Sequence, residues 1–315
     1  MIKGISVIIA TYNRQQFIGE TIQSVLDQQF ENLEIIIVDD GSTDNTLPLA
    51  KSFGSKVRIV EKPANCNHQG VASTRNRGLH CSTQPFVCFL DSDDLYLPNH
   101  LSRLITAFEN EIDLGFVFCR SLELKNVNGL NLARPWTRGK LFRNDIKNPV
   151  VSRSQIVNTN SFMFRKEVFE TVGYFDETYT NGEDGDLWMR ISERFRGRFI
   201  DNFGSAYRTN HSVNQLNKQH AEQIIFCLRR IFQAAKDRYD NLKLSDSKRI
   251  FKIKYNLLRL NYRNNNDQQY VYFYKYFGLI CRYPAAYVHV LIEKLYDMRE
   301  RKERRTWKML ENYFS

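Results

Sequence analysis

The chain has 315 residues, 42% hydrophobic and 25% charged, with 15 glycines and 7 prolines; this excludes disorder and collagen-like repeats and fits one large domain or a domain with an appendage. No window offers the roughly 18 or more uninterrupted apolar residues of a membrane-crossing helix. The net charge of +10 is unevenly placed: residues 1–212 carry 24 Lys and Arg against 25 Asp and Glu, whereas residues 213–315 carry 21 against 10 and hold 11 of the 16 tyrosines. The apolar stretch near the N-terminus, Ile5 to Ala10, is shorter than the ~7 to 15 residues of a secretory h-region, so a cytoplasmic protein that begins on a core strand is expected. None of the six cysteines forms a CxxC or zinc-ligand pattern, and reduced, mostly buried thiols are expected.

Short β-branched or aromatic runs alternate with stretches of helical period over the first two thirds, the pattern of an α/β fold with a mainly parallel central sheet. Strands are expected at Ser6 to Ala10, Glu34 to Val38, Val57 to Val60, Phe86 to Leu90 and Gly115 to Cys119. Helices are expected where Phe17, Ile18, Thr21, Ile22, Val25 and Leu26 recur at intervals of three and four, from Thr46 to Phe53 with Pro48 in the first turn, and from Val71 to His80. Residues 125–160 lack periodicity and read as a functional loop or lid, with order resuming at Ser161 to Phe164. From about Asn214 the reading is mainly helical.

In open sheets of this kind ligands bind beyond the carboxyl ends of the strands, where strand order reverses. The residues after each strand therefore matter most: Thr11, Tyr12, Asn13 and Arg14 after the first, Asp39, Asp40, Gly41 and Ser42 after the second, Asp91, Ser92, Asp93 and Asp94 after the fourth. Two carboxylates of an Asp-x-Asp at a strand end repel unless a cation lies between them. Such hard oxygen ligands suit Mg2+ or Mn2+ bound jointly with substrate phosphates. The competing structural reading is a turn, or a cap of the helix following Pro98 by Asp93 or Asp94.

The segments SVIIATYNR (6–14), EIIIVDDGSTDNT (34–46), GVASTRNRGL (70–79) and FLDSDD (89–94) resemble, in this order and spacing, the nucleotide-binding half of family 2 glycosyltransferases, and GYFDE (173–177) with GEDGDLWMR (182–190) resembles the acceptor half. The resemblance covers about residues 5–212. It implies a GT-A fold in residues 1–212, divided into a nucleotide-binding half (1–94) and an acceptor half (95–212); composition and periodicity leave residues 213–315 as a basic, Tyr-rich helical extension. It further implies an inverting, metal-dependent transfer from a nucleotide-diphosphosugar, a UDP-sugar, to a glycan or polyprenyl-linked acceptor. Tyr12 resembles the aromatic that stacks on the base, Asp40 the carboxylate that accepts from it, Arg75 the base or diphosphate contact, Asp91 the ribose or metal contact, and Asp93 the metal ligand; Thr11, Arg14 and Ser92 complete the donor set.

Each assignment has a structural rival. Tyr12 could pack at the strand end, and Asp39 and Asp40 could cap the Asp-Gly-Ser turn. Arg75 and Arg77, two apart on a helix, cannot share one face, so at most one is expected to point into the site, and Arg75 matches the motif better. Glu183 and Asp184 begin an amphipathic helix, where the helix dipole favours acids. The attacking hydroxyl must nevertheless lose a proton, and the resemblance gives that task to Asp184, with Glu183 as its neighbour and Trp188 as an aromatic wall for the acceptor or a buried core residue. Members of the family often carry Tyr-Arg-x-His after the last core strand. Here the sequence is Tyr207, Arg208, Thr209, Asn210, His211, so either a local shift restores His211 as a metal ligand or the role is absent.

In the C-terminal third, YVYFYKYFGLICRYPAAYVHVLIEKLY (270–296) and MRERKERR (298–305) suit peripheral contact with an anionic membrane, an inner-face location being expected. A helical extension packed on the catalytic domain is the alternative. No nucleic-acid module is present. A pyrophosphorylase or a Rossmann dehydrogenase fails on the glycine-free loop after the first strand. A non-catalytic protein retaining the fold is disfavoured by Asp93, Glu183 and Asp184.

Overall fold

The computed structural model describes residues 4–63, 70–127, 130–135, 158–179, 182–209 and 308–309. Apart from Lys308–Met309, which form a strand and not a helix, the expected helical extension with its expected membrane-contact segments lies outside the described residues, as do His211, Cys66, Cys227 and Cys281 and most of the second of two compact units, Thr180–Gly182 with Ser212–Thr306. The described helices and strands belong to the first unit. Among the described residues no helix is long and apolar enough to cross a membrane.

The first half is built as the periodicity predicts. Strand β1 (Ile5–Thr11) is followed by α1 (Ile18–Leu26), β2 (Leu33–Asp39), α2 (Thr46–Lys51), β3 (Arg58–Glu61), α3 (Val71–Cys81) and β4 (Phe86–Asp91). These strands lie parallel in the order β3-β2-β1-β4, so the direction of strand succession reverses between β1 and β4. β1 is buried on both faces, and its residues alternate between two cores. Ile5, Val7 and Ile9 pack with Ile18, Ile22 and Val25 of α1, whereas Ile8 packs with Ala72 and Leu79 of α3. Gly78 permits the second contact, because a Cβ there would lie 2.3 Å from Ile8 Cγ2.

Beyond β4 the sheet departs from expectation. The chain continues through β5 (Leu95–Tyr96), α4 (His100–Asn110), β6 (Leu114–Val127), β7 (Leu130–Pro135), β8 (Phe162–Arg165), α5 (Glu167–Val172), α6 (Glu183–Arg194) and β9 (Arg196–Thr209), and Lys308–Met309 forms β10. The ten strands give four parallel and five antiparallel pairings among the described residues, so the sheet is mixed and not mainly parallel. The βα alternation that enforces parallel order ends at β4, and β8 then inserts antiparallel between β4 and β6. Part of the expected loop is also strand, since residues 125–127 extend β6 and pair with β7. Residues 136–157 are outside the described set.

The second core is aromatic. Phe89, Phe162, Phe164 and Phe175 surround Trp188 of α6, whose ring stacks on Phe164 with centroids 4.5 Å apart. Trp188 is 2% exposed, which corrects the acceptor-wall expectation: the period-3.6 face of α6 spends this side chain on burial. Described Cys81, Cys88 and Cys119 are free thiols; burial pushes Cys119 up to about 12.

Candidate active site

The loops after β1 and β2 are laced together at the strand-order reversal. Asp40 N–H donates to Thr11 O at 2.9 Å, Thr43 N–H to Asn13 Oδ1 at 2.8 Å, and Arg14 N–H to Thr46 Oγ1 at 2.7 Å. Asp39 is the turn residue of the VDDGS segment, accepting from Gly41 and Ser42 N–H and from the Ser42 hydroxyl. Asp40 is released from that duty and faces α3, accepting from Gly70 N–H at 2.9 Å and from Arg77 at 3.1 Å. Tyr12 stands 53% exposed beside them, and so does not pack into the strand end. Thr11 is buried with its hydroxyl unpartnered among the described residues.

The Asp-x-Asp lies on the opposite side of the reversal. Asp91 accepts from Arg75 Nη2 at 2.7 Å, and Asp93 from Arg14 Nε at 3.1 Å. Both arginines of α3 therefore reach candidate site carboxylates, which corrects the expectation that at most one would. Their side chains leave the helix toward different strand ends, Arg77 toward β2 and Arg75 toward β4. The N-cap of the following helix is Asn99, not Asp93 or Asp94, and its side chain makes no cap bond. Asp94 is instead fully buried, accepting from Arg208 N–H and from Asn160 Nδ2; burial, with Asp93 and Asp91 close by, holds its carboxyl well above the usual carboxylate range. Arg208 further donates to Asp93 O and to Glu20. Ser92 is buried, its carbonyl accepting from Thr21 Oγ1, so it shapes the strand end without opening to solvent.

Three acids open α6, and the structure treats them differently. Asp186 accepts from Arg190 one turn on. Glu183 is buried against Arg75 Nη1 at 2.7 Å, so Arg75, 6% exposed in its side chain, joins Asp91 and Glu183 in one ion triad. Asp184 is half-buried and accepts from the Thr159 hydroxyl at 3.0 Å and from Gly185 N–H at 2.7 Å. Asp184 is thus the acid of the three that these contacts leave to neutral donors.

Burial first, then the Asp184 charge, raises Glu183 to about 7, with Arg75 pulling the other way. The folded chain then keeps a proton that the unfolded chain loses near 4.5. This stabilisation is complete below the unfolded value and is lost as pH rises through about 7. Glu183→Gln is expected to flatten the decline in stability between about pH 5 and 8, read from denaturant melts; an unchanged slope overturns the assignment.

Among the described residues no three His, Cys, Asp or Glu side chains gather into a group that could by itself hold a metal ion. Two carboxylates, Asp91 and Asp93, do face the reversal. As hard oxygen donors they are of the type that suits Mg2+ or Mn2+, and such an ion would need further ligands from outside the protein.

A family model, Glycosyl transferase family 2, matches residues 6–173. The chain belongs to glycosyltransferase family 2. An uncharacterized glycosyltransferase of Rickettsia typhi is 28% identical over 226 residues, 69% of each chain. The chain spans 52% and 60% of the length of two further curated relatives. Among solved structures, TarS of S. aureus in complex with UDP-GlcNAc aligns with a TM-score of 0.62 at 20% identity, covering 90% of this chain and 81% of that one. A mannosyltransferase of Pyrobaculum calidifontis in complex with GDP-Man and Mn2+ aligns with a TM-score of 0.54 at 18% identity, covering 73% and 64%. The fold is GT-A-like. Glycosyl transfer is the chemistry this family membership supports.

Thr159 and Asn160, which contact Asp184, Asp91 and Asp94, were missed in the sequence; the only signal was the polar run VNTNS immediately before the aromatic strand FMFR.

Proposed function

We propose that the chain moves a sugar from a UDP-sugar to a hydroxyl of a glycan or polyprenyl-linked acceptor, with inversion at the anomeric carbon. The observation that carries this reading is the single chain of contacts Asp91–Arg75–Glu183, which sets the start of α6 beside the strand-order reversal. Tyr12 offers an exposed ring to the base, Asp40 a carboxylate to its N–H groups, and Thr11, Arg14 and Arg75 line the path of the diphosphate. Mn2+ or Mg2+ would be held by Asp93 with Asp91 and, when bound, neutralises charge on the departing diphosphate. Asp184 takes the proton of the attacking acceptor hydroxyl. No nucleophilic side chain is required, because the acceptor oxygen attacks the anomeric carbon directly as the C–O bond to diphosphate breaks.

UDP release from a panel of UDP- and GDP-sugars tests the transferase reading. Turnover of at least one UDP-sugar is expected, and turnover of none overturns it. UDP affinity by calorimetry is expected to fall at least about tenfold in EDTA, or ~1.4 kcal/mol. Equal affinity with and without chelator removes the metal from Asp93.

The split of charge at residue 212 and the interfacial pattern of residues 270–305 support a peripheral role at an anionic leaflet. The full chain is expected to float with phosphatidylglycerol vesicles at low salt and to be released at high salt. Failure to float at low salt removes membrane contact from the proposal.

A further inference from the structure

The turn before β8 touches both halves of the candidate site, yet the reaction as described gives it no task. Residues Thr159–Ser161 form a single 3-10 turn, with Asn158 at its start accepting from Asn160 N–H at 3.0 Å. Thr159 is 3% exposed and Asn160 fully buried. Asn160 uses both ends of its amide on the Asp-x-Asp segment: Oδ1 accepts from Asp91 N–H at 2.9 Å, and Nδ2 donates to Asp94 Oδ2 at 2.5 Å. The adjacent Thr159 hydroxyl donates to Asp184 Oδ2 at 3.0 Å. Ser161 anchors the turn through the Ser121 and Ser205 hydroxyls on β6 and β9.

We propose that Thr159 is a positioning residue for the base Asp184, and that Asn160 places it by fixing the turn to the end of β4. The inference rests on the reading of Asp184 as base. A carboxylate accepts through about four lone-pair sites. The Thr159 hydroxyl takes one on Oδ2 and Gly185 N–H one on Oδ1, so the side chain is held at both oxygens with capacity left for an acceptor hydroxyl. Without the Thr159 bond, Asp184 can turn about its χ angles. Misplacement of a reacting group by ~1 Å costs on the order of 10²-fold in rate. Two adjacent side chains of one buried turn thus set the spacing between the donor end of the site and the group that receives the proton. Removing the Thr159 hydroxyl leaves the donor contacts in place, because that hydroxyl bonds to Asp184, and the link to Asp91 is made by Asn160.

The test uses the full chain and UDP release from the wild type's best UDP-sugar, with Thr159→Val, Thr159→Ser, Asp184→Asn and the Thr159→Val/Asp184→Asn pair. Thr159→Val keeps the shape and loses the hydroxyl; Thr159→Ala replaces it if the valine variant does not fold. We expect the hydroxyl-free variant to lose about 10- to 10²-fold in kcat with UDP affinity within about twofold, and Thr159→Ser to recover most of that loss. In the Asp184→Asn background the same change should cost less than about twofold, because a residue acting through another has nothing left to position. Turnover of Thr159→Val within about twofold of wild type overturns the proposal. So does an equal loss in both backgrounds, which assigns Thr159 a role independent of Asp184. Near-normal turnover of Asp184→Asn overturns the base assignment itself, whereas an inactive Asp184→Asn with a silent Thr159→Val overturns only the positioning role.

Discussion

Asp184→Asn is expected to lower turnover by about 10² to 10⁴-fold, or roughly 3 to 5 kcal/mol of barrier, while leaving UDP affinity and melting temperature nearly unchanged. Asparagine keeps the shape, with Oδ1 able to accept from Gly185 N–H and Nδ2 able to donate to the Thr159 hydroxyl oxygen, but it cannot take a proton. A purely structural acid in the first turn of α6 would behave otherwise: its loss would cost about 1 kcal/mol or less of stability and leave turnover intact. The two neighbours serve as controls. Asp186 is held by Arg190, and a carboxylate in such a pair is a poor proton acceptor; Glu183, raised to about 7, is basic enough to accept a proton but is buried against Arg75, so it is the stricter control. Turnover of Asp184→Asn above about a tenth of wild type moves the base to Glu183 or Asp186, to be decided with Glu183→Gln and Asp186→Asn.

Arg75→Met is expected to destabilise the fold by about 3 kcal/mol, because it withdraws the shared cation from Asp91 and Glu183. The loss should be larger at pH 8 than at pH 5. Glu183 titrates at about 7, so at the lower pH it is protonated and has no charge left to compensate. Adding Glu183→Gln to Arg75→Met should restore part of the stability at pH 8, since one of the two stranded charges is then removed. UDP affinity should fall with Arg75 whatever the pH, because Asp91 loses the contact that orients it. Denaturant melts of the two variants at both pH values decide the matter. A loss under about 1 kcal/mol at pH 8 means the triad does not tie α6 to β4.

Both expectations depend on contacts between separate segments, Arg75 with Glu183 108 positions apart and Thr159 with Asp184 25 apart. Local pattern nevertheless carried much of the molecule. Strands β1, β2 and β4 were legible as apolar runs ended by polar residues, and α1 and α3 by their period, because these elements obey rules that act within a few residues. The candidate residues at the strand ends were legible for the same reason: a parallel sheet with helical crossovers places them at one edge wherever the order reverses.

What only the tertiary structure decided is how those residues divide their work. Residue type could not separate Asp39 from Asp40, and only the family resemblance chose Asp40; the turn takes the first and leaves the second to Gly70 and Arg77. It treated Arg77 as excluded because helix geometry limits which Cβ atoms share a face, but long guanidinium side chains reach past that limit to separate partners. Trp188 was open between wall and core until the phenylalanines of β4 and β8 closed around it. The antiparallel entry of β8 beside β4 was likewise invisible, since strand direction is set by pairing over distance and not by residue type. That same pairing carries Thr159 and Asn160 to the strand end. Family, core strands and chemical residue types were therefore written locally, whereas the partners of Asp40, Asp94 and Glu183 were chosen by packing between segments that the sequence keeps far apart.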